Sequence, residues 1–130
     1  MTEKTKPRDV VFKTQDYEGT PVILSRTTWR VKAGNDEPGE HPEVRDYLDD
    51  IHLAIEKPDS VFQSPRDERS RVFYRLNVGQ GRFTDKHLVI VVKYVMEPQG
   101  LCGYISTIYL SRAVYARGEQ LWPKTQKLVG

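Results

Sequence analysis

The sequence has one cysteine, Cys102, which excludes an internal disulfide and with it the stapled scaffolds of small secreted proteins. No run approaches the roughly 20 apolar residues of a membrane span. The opening Met1–Asp9 is polar and charged where a secretory leader would be apolar. A reducing cytoplasm is therefore the expected setting. Several chemical signatures are missing too. There is no phosphate loop, no dinucleotide fingerprint and no Gly-x-Ser-x-Gly elbow, and Gly79-Gln80-Gly81 reads as a turn between strands. No cofactor is indicated. His41 and Glu43 stand only two apart, His52 has no ligand-type residue four positions before it, and one cysteine cannot build a zinc cluster, so no metal site is expected.

The 130 residues suffice for one domain with a real core, expected over 10–123, with 1–9 and 124–130 as tails. The net charge of +2 hides an asymmetry. Positions 35–60 hold nine acids against Arg45 and Lys57, 2 − 9 = −7, so the rest carries 18 − 9 = +9. If an acidic helix covers one sheet face, the opposite face can present a positive field to an anion; equally, a solvated helix face is often acidic, and bases scattered over the surface give the same count.

That helix is expected from Pro42 to Lys57. Val44, Leu48, Ile51 and Ile55 recur at helical spacing, Pro42 suits a first helical position, and Pro58 ends it. Before it, Val10–Thr14 and Val22–Ser25 read as a small hairpin or two extended pieces, and Thr27–Lys32 as a short helix capped by a threonine and anchored by Trp29. Ala33–Glu40 reads as a loop. After Pro58 the period becomes two. Strands are expected at Ser60–Gln63, Arg71–Asn77, His87–Val95 and Gly103–Leu110, the third central, joined by connections short enough for an antiparallel meander. The tail with Arg112, Tyr115, Arg117 and Trp122 reads as a short helix or an extended arm. The class is α+β: a hairpin and one or two helices on one face of a four-stranded antiparallel sheet.

Polar residues on that sheet are the candidates for chemistry. Lys93 interrupts an apolar strand, and an ammonium there must reach an edge, a carboxylate or a site. Strict alternation puts Ile105, Thr107 and Tyr109 on one face, and Tyr104, Ser106, Ile108 and Leu110 on the other. Arg71, Phe73 and Arg75 share a face of their strand, and Arg112 lies just past the last one. Cations that hold a phosphate, beside a histidine such as His41 or a tyrosine that moves protons, are what metal-free cleavage of a phosphodiester requires. The same residues have an ordinary structural reading: Thr and Tyr favour strands, a lone Lys snorkels at a strand end, and His41 caps a helix.

Trp29, His41-Pro42-Glu43, a helix ending Ile55-Glu56-Lys57-Pro58-Asp59, Val72-Phe73-Tyr74-Arg75, Val89-Ile90-Val91-Val92-Lys93, Ser106-Thr107-Ile108-Tyr109 and Gly118-Glu119-Gln120-Leu121-Trp122 follow one another in order. This series resembles the phage and bacterial domains of the barnase, EndoU, colicin and RelE-like ribonuclease superfamily over about residues 25–122. The resemblance implies helices followed by a four-stranded antiparallel sheet and metal-independent cleavage of RNA, in toxin-type members with an antitoxin protein as partner. Matched by position, it implies His41, Lys93, Thr107 and Tyr109 as catalytic residues. The expected roles are phosphate binding by Arg75, Arg112 and Lys93, proton transfer by His41, and positioning by Thr107 and Tyr109. A non-catalytic module binding RNA or a protein through the same face is the other expectation.

Overall fold

The computed structural model describes residues 9–34, 37–114 and 117–124. Of the expected tails, 1–9 and 124–130, all but Asp9 and Lys124 lie outside these, as does Tyr115. Strands β1 (Val10–Gln15) and β2 (Pro21–Ser25) form the hairpin. Its turn is built by Asp16, whose Oδ1 accepts from the amides of Glu18 at 2.8 Å and Thr20 at 2.9 Å. Helix α1 (Arg26–Lys32) follows, capped by Ser25, whose Oγ accepts from the Thr28 amide at 3.1 Å, rather than by a threonine. A serine can take this role because any short side-chain oxygen reaches the orphan amides of the first turn.

The loop after α1 is an excursion that closes on itself. Gly34 bridges Pro38, the Glu40 amide donates to Val31 O at 2.9 Å, and the His41 amide to Lys32 O at 2.6 Å. His41 is thus returned to the end of α1. The expected continuous helix begins instead as a 3-10 segment, Pro42–Tyr47, and becomes α-helical only in α2 (Leu48–Glu56). Val44 and Tyr47, three apart, both enter the core, which suits a three-residue period; Ile51, Ala54 and Ile55 then take up the α spacing.

The remaining strands are β3 (Ser60–Gln63), β4 (Ser70–Arg75), β5 (His87–Glu97), β6 (Gly100–Ser111) and β7 (Gln120–Trp122). They form one seven-stranded mixed sheet ordered β1-β2-β6-β5-β4-β3-β7, which corrects the expected four antiparallel strands. Strands β3 to β6 are the expected antiparallel meander, with β5 in the middle. The hairpin joins it through a parallel contact of Val22 and Ile23 with Gly103 and Tyr104, and β7 extends the far edge, so the tail ends as an extended arm. Side chains explain the attachment of the hairpin. Tyr94 donates from its hydroxyl to the buried Asp16 carboxylate at 2.6 Å, and the Arg71 guanidinium stacks over the Tyr94 ring while reaching Glu18 at 2.6 Å.

Helix α2 and the 3-10 segment cover one face, burying Val44, Ile51 and Ile55 against Phe73, Leu88, Ile90, Val92 and Ile108. At about 1.5–3 kcal/mol per fully buried aliphatic or aromatic side chain, this layer is the main source of stability. Among the described residues no helix is long and apolar enough to cross a membrane.

Candidate functional site

Strand β6 holds one residue more than its partner requires. Val92 pairs with Ile105 and Val91 with Thr107, which leaves Ser106 as a bulge whose hydroxyl donates to Val91 O at 3.1 Å. A bulge resets the alternation. Ile105 therefore faces the helices together with Ile108 and Leu110, and Tyr104 joins Thr107 and Tyr109 on the open face. The strict alternation expected for β6 is corrected on these two residues, while Thr107 and Tyr109 share a face.

On that open face Val72, Tyr74, Val91 and Tyr109 floor a cleft of about 550 Å³, walled by the β3–β4 turn with Arg66 and Asp67 and by Arg117 just before β7. The turn is rigidly built. The Gln63 side-chain amide gathers the carbonyls of Asp67, Glu68 and Ser70 at 3.0–3.2 Å, the Ser64 amide donates to Ser70 O at 3.0 Å, and the Arg66 amide donates to Ser64 Oγ at 3.2 Å. Asp67 accepts from Ser70 Oγ at 2.8 Å and from the Arg69 amide at 3.1 Å. These bonds, with a lesser contribution from Lys93, hold its carboxyl below the usual carboxylate range. The Lys93 ammonium lies 3.8 Å from Asp67 at the rim, an exposed pair of small energetic weight.

His41 reaches the same region from the other side. Strand β2 pairs with β6 only as far as Tyr104, so among the described residues no strand lies beside the following half of that β6 edge, and the 3-10 segment packs there. The His41 and Tyr109 rings meet at 5.7 Å between centroids, tilted by 36°. Nδ1 of His41 faces the Glu43 carboxylate at 3.5 Å. An imidazole beside a carboxylate has one nitrogen oriented and the other available for proton exchange.

The six residues expected from sequence thus divide. His41 and Tyr109 come together, and Thr107 shares the open face with Tyr109, two strand positions before it and outside the lining of the cleft. Lys93 stands two strand positions beyond the residue opposite Thr107, about 7 Å along the same face. Arg112 is exposed, one residue past β6. Arg75 goes elsewhere: it pairs with the core residue Leu88, shares the helix-covered face, and donates to Lys57 O at 2.8 Å at the end of α2. Arg66, Asp67, Tyr74 and Arg117, which sequence reasoning did not select, line the cleft instead. Gly118 carried a signal for Arg117. A Cβ there would lie 1.8 Å from Gln63 O, so this glycine permits the close approach that returns the tail to the sheet.

The assembled groups are a histidine and a tyrosine in contact, a threonine on the same face, and three cations around a partly apolar cleft. Such a set can hold a flexible polyanion and move a proton on it. Comparisons of the chain with protein-family models, with curated proteins and with solved structures found no match.

Proposed function

We propose that the cleft binds single-stranded RNA and cleaves its phosphodiesters without a metal ion, as a ribonuclease of the toxin type whose partner would be an antitoxin protein. The contact of His41 with Tyr109 beside an arginine-walled cleft carries this reading, because it joins proton-transfer groups to phosphate-binding groups. Arg66, Arg117 and Lys93 hold phosphates flanking the reacting one, above a floor that includes Val72 and Val91. Thr107 and Tyr109 position the 2'-hydroxyl and the scissile phosphate. The protein supplies no nucleophile of its own, so the 2'-oxygen attacks phosphorus, its proton leaves to a base, and the 5'-oxygen departs with a proton from an acid. His41 exchanges those protons. The products are a 2',3'-cyclic phosphate and a 5'-hydroxyl.

The test is incubation of end-labelled RNA with the protein in EDTA. Cleavage with cyclic phosphate ends, abolished by 2'-deoxy substitution at the cut site, is expected. His41→Ala should slow it about 100-fold or more, the usual scale for a lost general acid–base. RNA that stays intact with the parent protein sinks the catalytic reading. The Asp67 carboxylate beside Lys93 favours a second reading, since it offsets one of the cations a transition state would use. In that reading the face binds RNA and does not cut it: binding is salt-sensitive, no cleavage occurs, and His41→Ala leaves affinity unchanged.

A further inference from the structure

The three-residue period of the 3-10 segment does more than bury Val44 and Tyr47. Side chains three apart eclipse in such a helix, so Glu43 and Asp46 stand one above the other on an adjoining face. They form one wall of a pocket of about 320 Å³, with Tyr47 also in its lining and Gln80, Arg82 and Phe83 of the β4–β5 connection opposite. The Gln80 amide ties the two walls together by donating to the Tyr47 hydroxyl at 2.9 Å. The connection itself is closed tightly. The Gly79 amide donates to Lys86 O at 3.2 Å and the Phe83 amide to Gln80 O at 3.0 Å, and a Cβ on Gly79 would lie 1.6 Å from Phe83 O, so the close approach requires glycine.

The lining defines a ligand chemistry. Tyr47 is 6% exposed, and its hydroxyl accepts from Gln80 but donates to no described residue, which leaves a buried donor for an acceptor on whatever enters. The Glu43 and Asp46 carboxylates beside it can only accept. The Arg82 guanidinium lies over the Phe83 ring at 5.0 Å, as does the Lys86 ammonium, so the guanidinium plane rather than the phenyl face is what a flat ligand meets. Two stacked acceptors next to a donor complement a nucleobase edge on which an amino group, with its two hydrogens, adjoins a ring nitrogen that accepts. Adenine and cytosine have such an edge; uracil presents a carbonyl where they present the amino group. Unpaired RNA bases are read on these edges and stacked on guanidinium planes. The carboxylates repel phosphate, so a base enters and the backbone stays with the cations of the cleft. The volume is at the small end of the range for ligand pockets and suits one base.

Glu43 also joins this pocket to the cleft. Its carboxylate faces His41 at 3.5 Å, the His41 ring meets Tyr109, and Tyr109 floors the cleft. A strand that lies in the cleft and passes His41 brings its next base here. We propose that the pocket is a base-selective subsite, taking adenine or cytosine from the nucleotide on the His41 side of the scissile phosphate. Glu43 and Asp46 accept from the amino group, Tyr47 donates to the ring nitrogen, and the Arg82 plane stacks on the base. The subsite rests on the reading of the cleft as an RNA site, though not on cleavage.

The test is fluorescence anisotropy of the full chain with end-labelled 2'-O-methyl oligonucleotides of uracil, cytosine or adenine, which have no free 2'-hydroxyl to attack phosphorus. Oligo(U) reports on the cleft. Oligo(C), oligo(A) or both should bind about tenfold tighter or more, the scale for hydrogen bonds to charged acceptors. Asp46→Ala, at an exposed position, removes a charge that repels every strand alike, so the readout is the ratio to oligo(U), which should fall severalfold. Equal affinity for all three, or a ratio that Asp46→Ala leaves intact, overturns the subsite and leaves the cleft standing. Failure of every oligonucleotide to bind overturns the cleft reading along with it. Free cytidine and adenosine are the last arm: weak competition is expected, and a nucleoside that binds as tightly as its oligonucleotide overturns the strand as the source of the base.

Discussion

Gly118→Ala should release β7 from the sheet while leaving the core folded, and with it release Arg117 from the cleft. The added Cβ would be placed 1.8 Å from Gln63 O, and carbon atoms of that kind do not approach within 3.0 Å of a neighbour, so the gap must open by 3.0 − 1.8 = 1.2 Å. The bond from the Gln63 amide to Glu119 O, now 2.8 Å, cannot survive such a shift. Forcing an extra methyl into a closed contact costs about 1–3 kcal/mol. Strand β7 has three residues, and at a net contribution of about 0.5–1.5 kcal/mol per hydrogen bond its docking is worth a similar amount. The cheapest response is therefore detachment, since β3 to β6 pair with one another without it. Native-state hydrogen exchange should show Gln63 and residues 120–122 losing protection while Ile90 and Ile108 keep theirs. RNA binding should weaken, and its dependence on salt should fall by about one charge. A protected Gln63 amide in the variant, with unchanged RNA affinity, would refute both the need for glycine and the place given to Arg117.

Two further substitutions probe the rest of the framework. Tyr94→Phe removes the donor to the buried Asp16 carboxylate and should cost about 1.5–3 kcal/mol, lowering the melting temperature by roughly 5–12 °C, as read by calorimetry. The same residue sets an alkaline dependence. Burial first, and the bond to Asp16 second, raise the Tyr94 pKa, so the native state keeps a proton that the unfolded chain loses near pH 10. Its contribution is fully present below that pH and is lost above it at about 1.4 kcal/mol per pH unit. Urea unfolding between pH 9 and 11 should give a shallower decline for Tyr94→Phe, and equal slopes would count against the burial argument. Arg75→Ala removes the bond to Lys57 O, should cost about 0.5–1.5 kcal/mol in urea unfolding, and should leave RNA binding within twofold; a large loss of binding by folded protein would return Arg75 to the site.

What the sequence made legible was set by periodicity. Ile51 and Ile55 recur at helical spacing, and β4–β6 are long runs of β-branched and aromatic residues, and both features are visible without coordinates. The edges of the sheet were not visible. Strand β7 has three residues, and the parallel contact of β2 rests on two pairs, too little for any pattern. Side chains distant in sequence secure them: Asp16 with Tyr94, and Tyr17 with Trp122 at 5.5 Å between rings. Thr107 and Tyr109 on one face followed from alternation. The bulge did leave a trace, because Ile105 and Ile108, both core residues, are three apart where a regular strand would put two or four between them. Arg75 illustrates a different limit. Parity placed it on a face with Phe73, but nothing in the sequence says which of two faces the helices cover, and the arginine lies on the covered one.

The extra residue at Ser106 works as a phase shifter between two segments of one strand. Upstream of it, the β6 side chains that point inward stand in one register; downstream, in the other. The consequence is a testable asymmetry in tolerance to length change. Deleting Ser106 would leave a regular strand with the same cross-strand pairs, Ile105, Ile108 and Leu110 inward and Thr107 and Tyr109 on the open face, whereas deleting Ile108 would drive either Thr107 or Tyr109 toward the hydrocarbon interior. Shortening the loop between Gly34 and Gly39, which begins and ends at the same neck, would leave the polarity of every strand as it is.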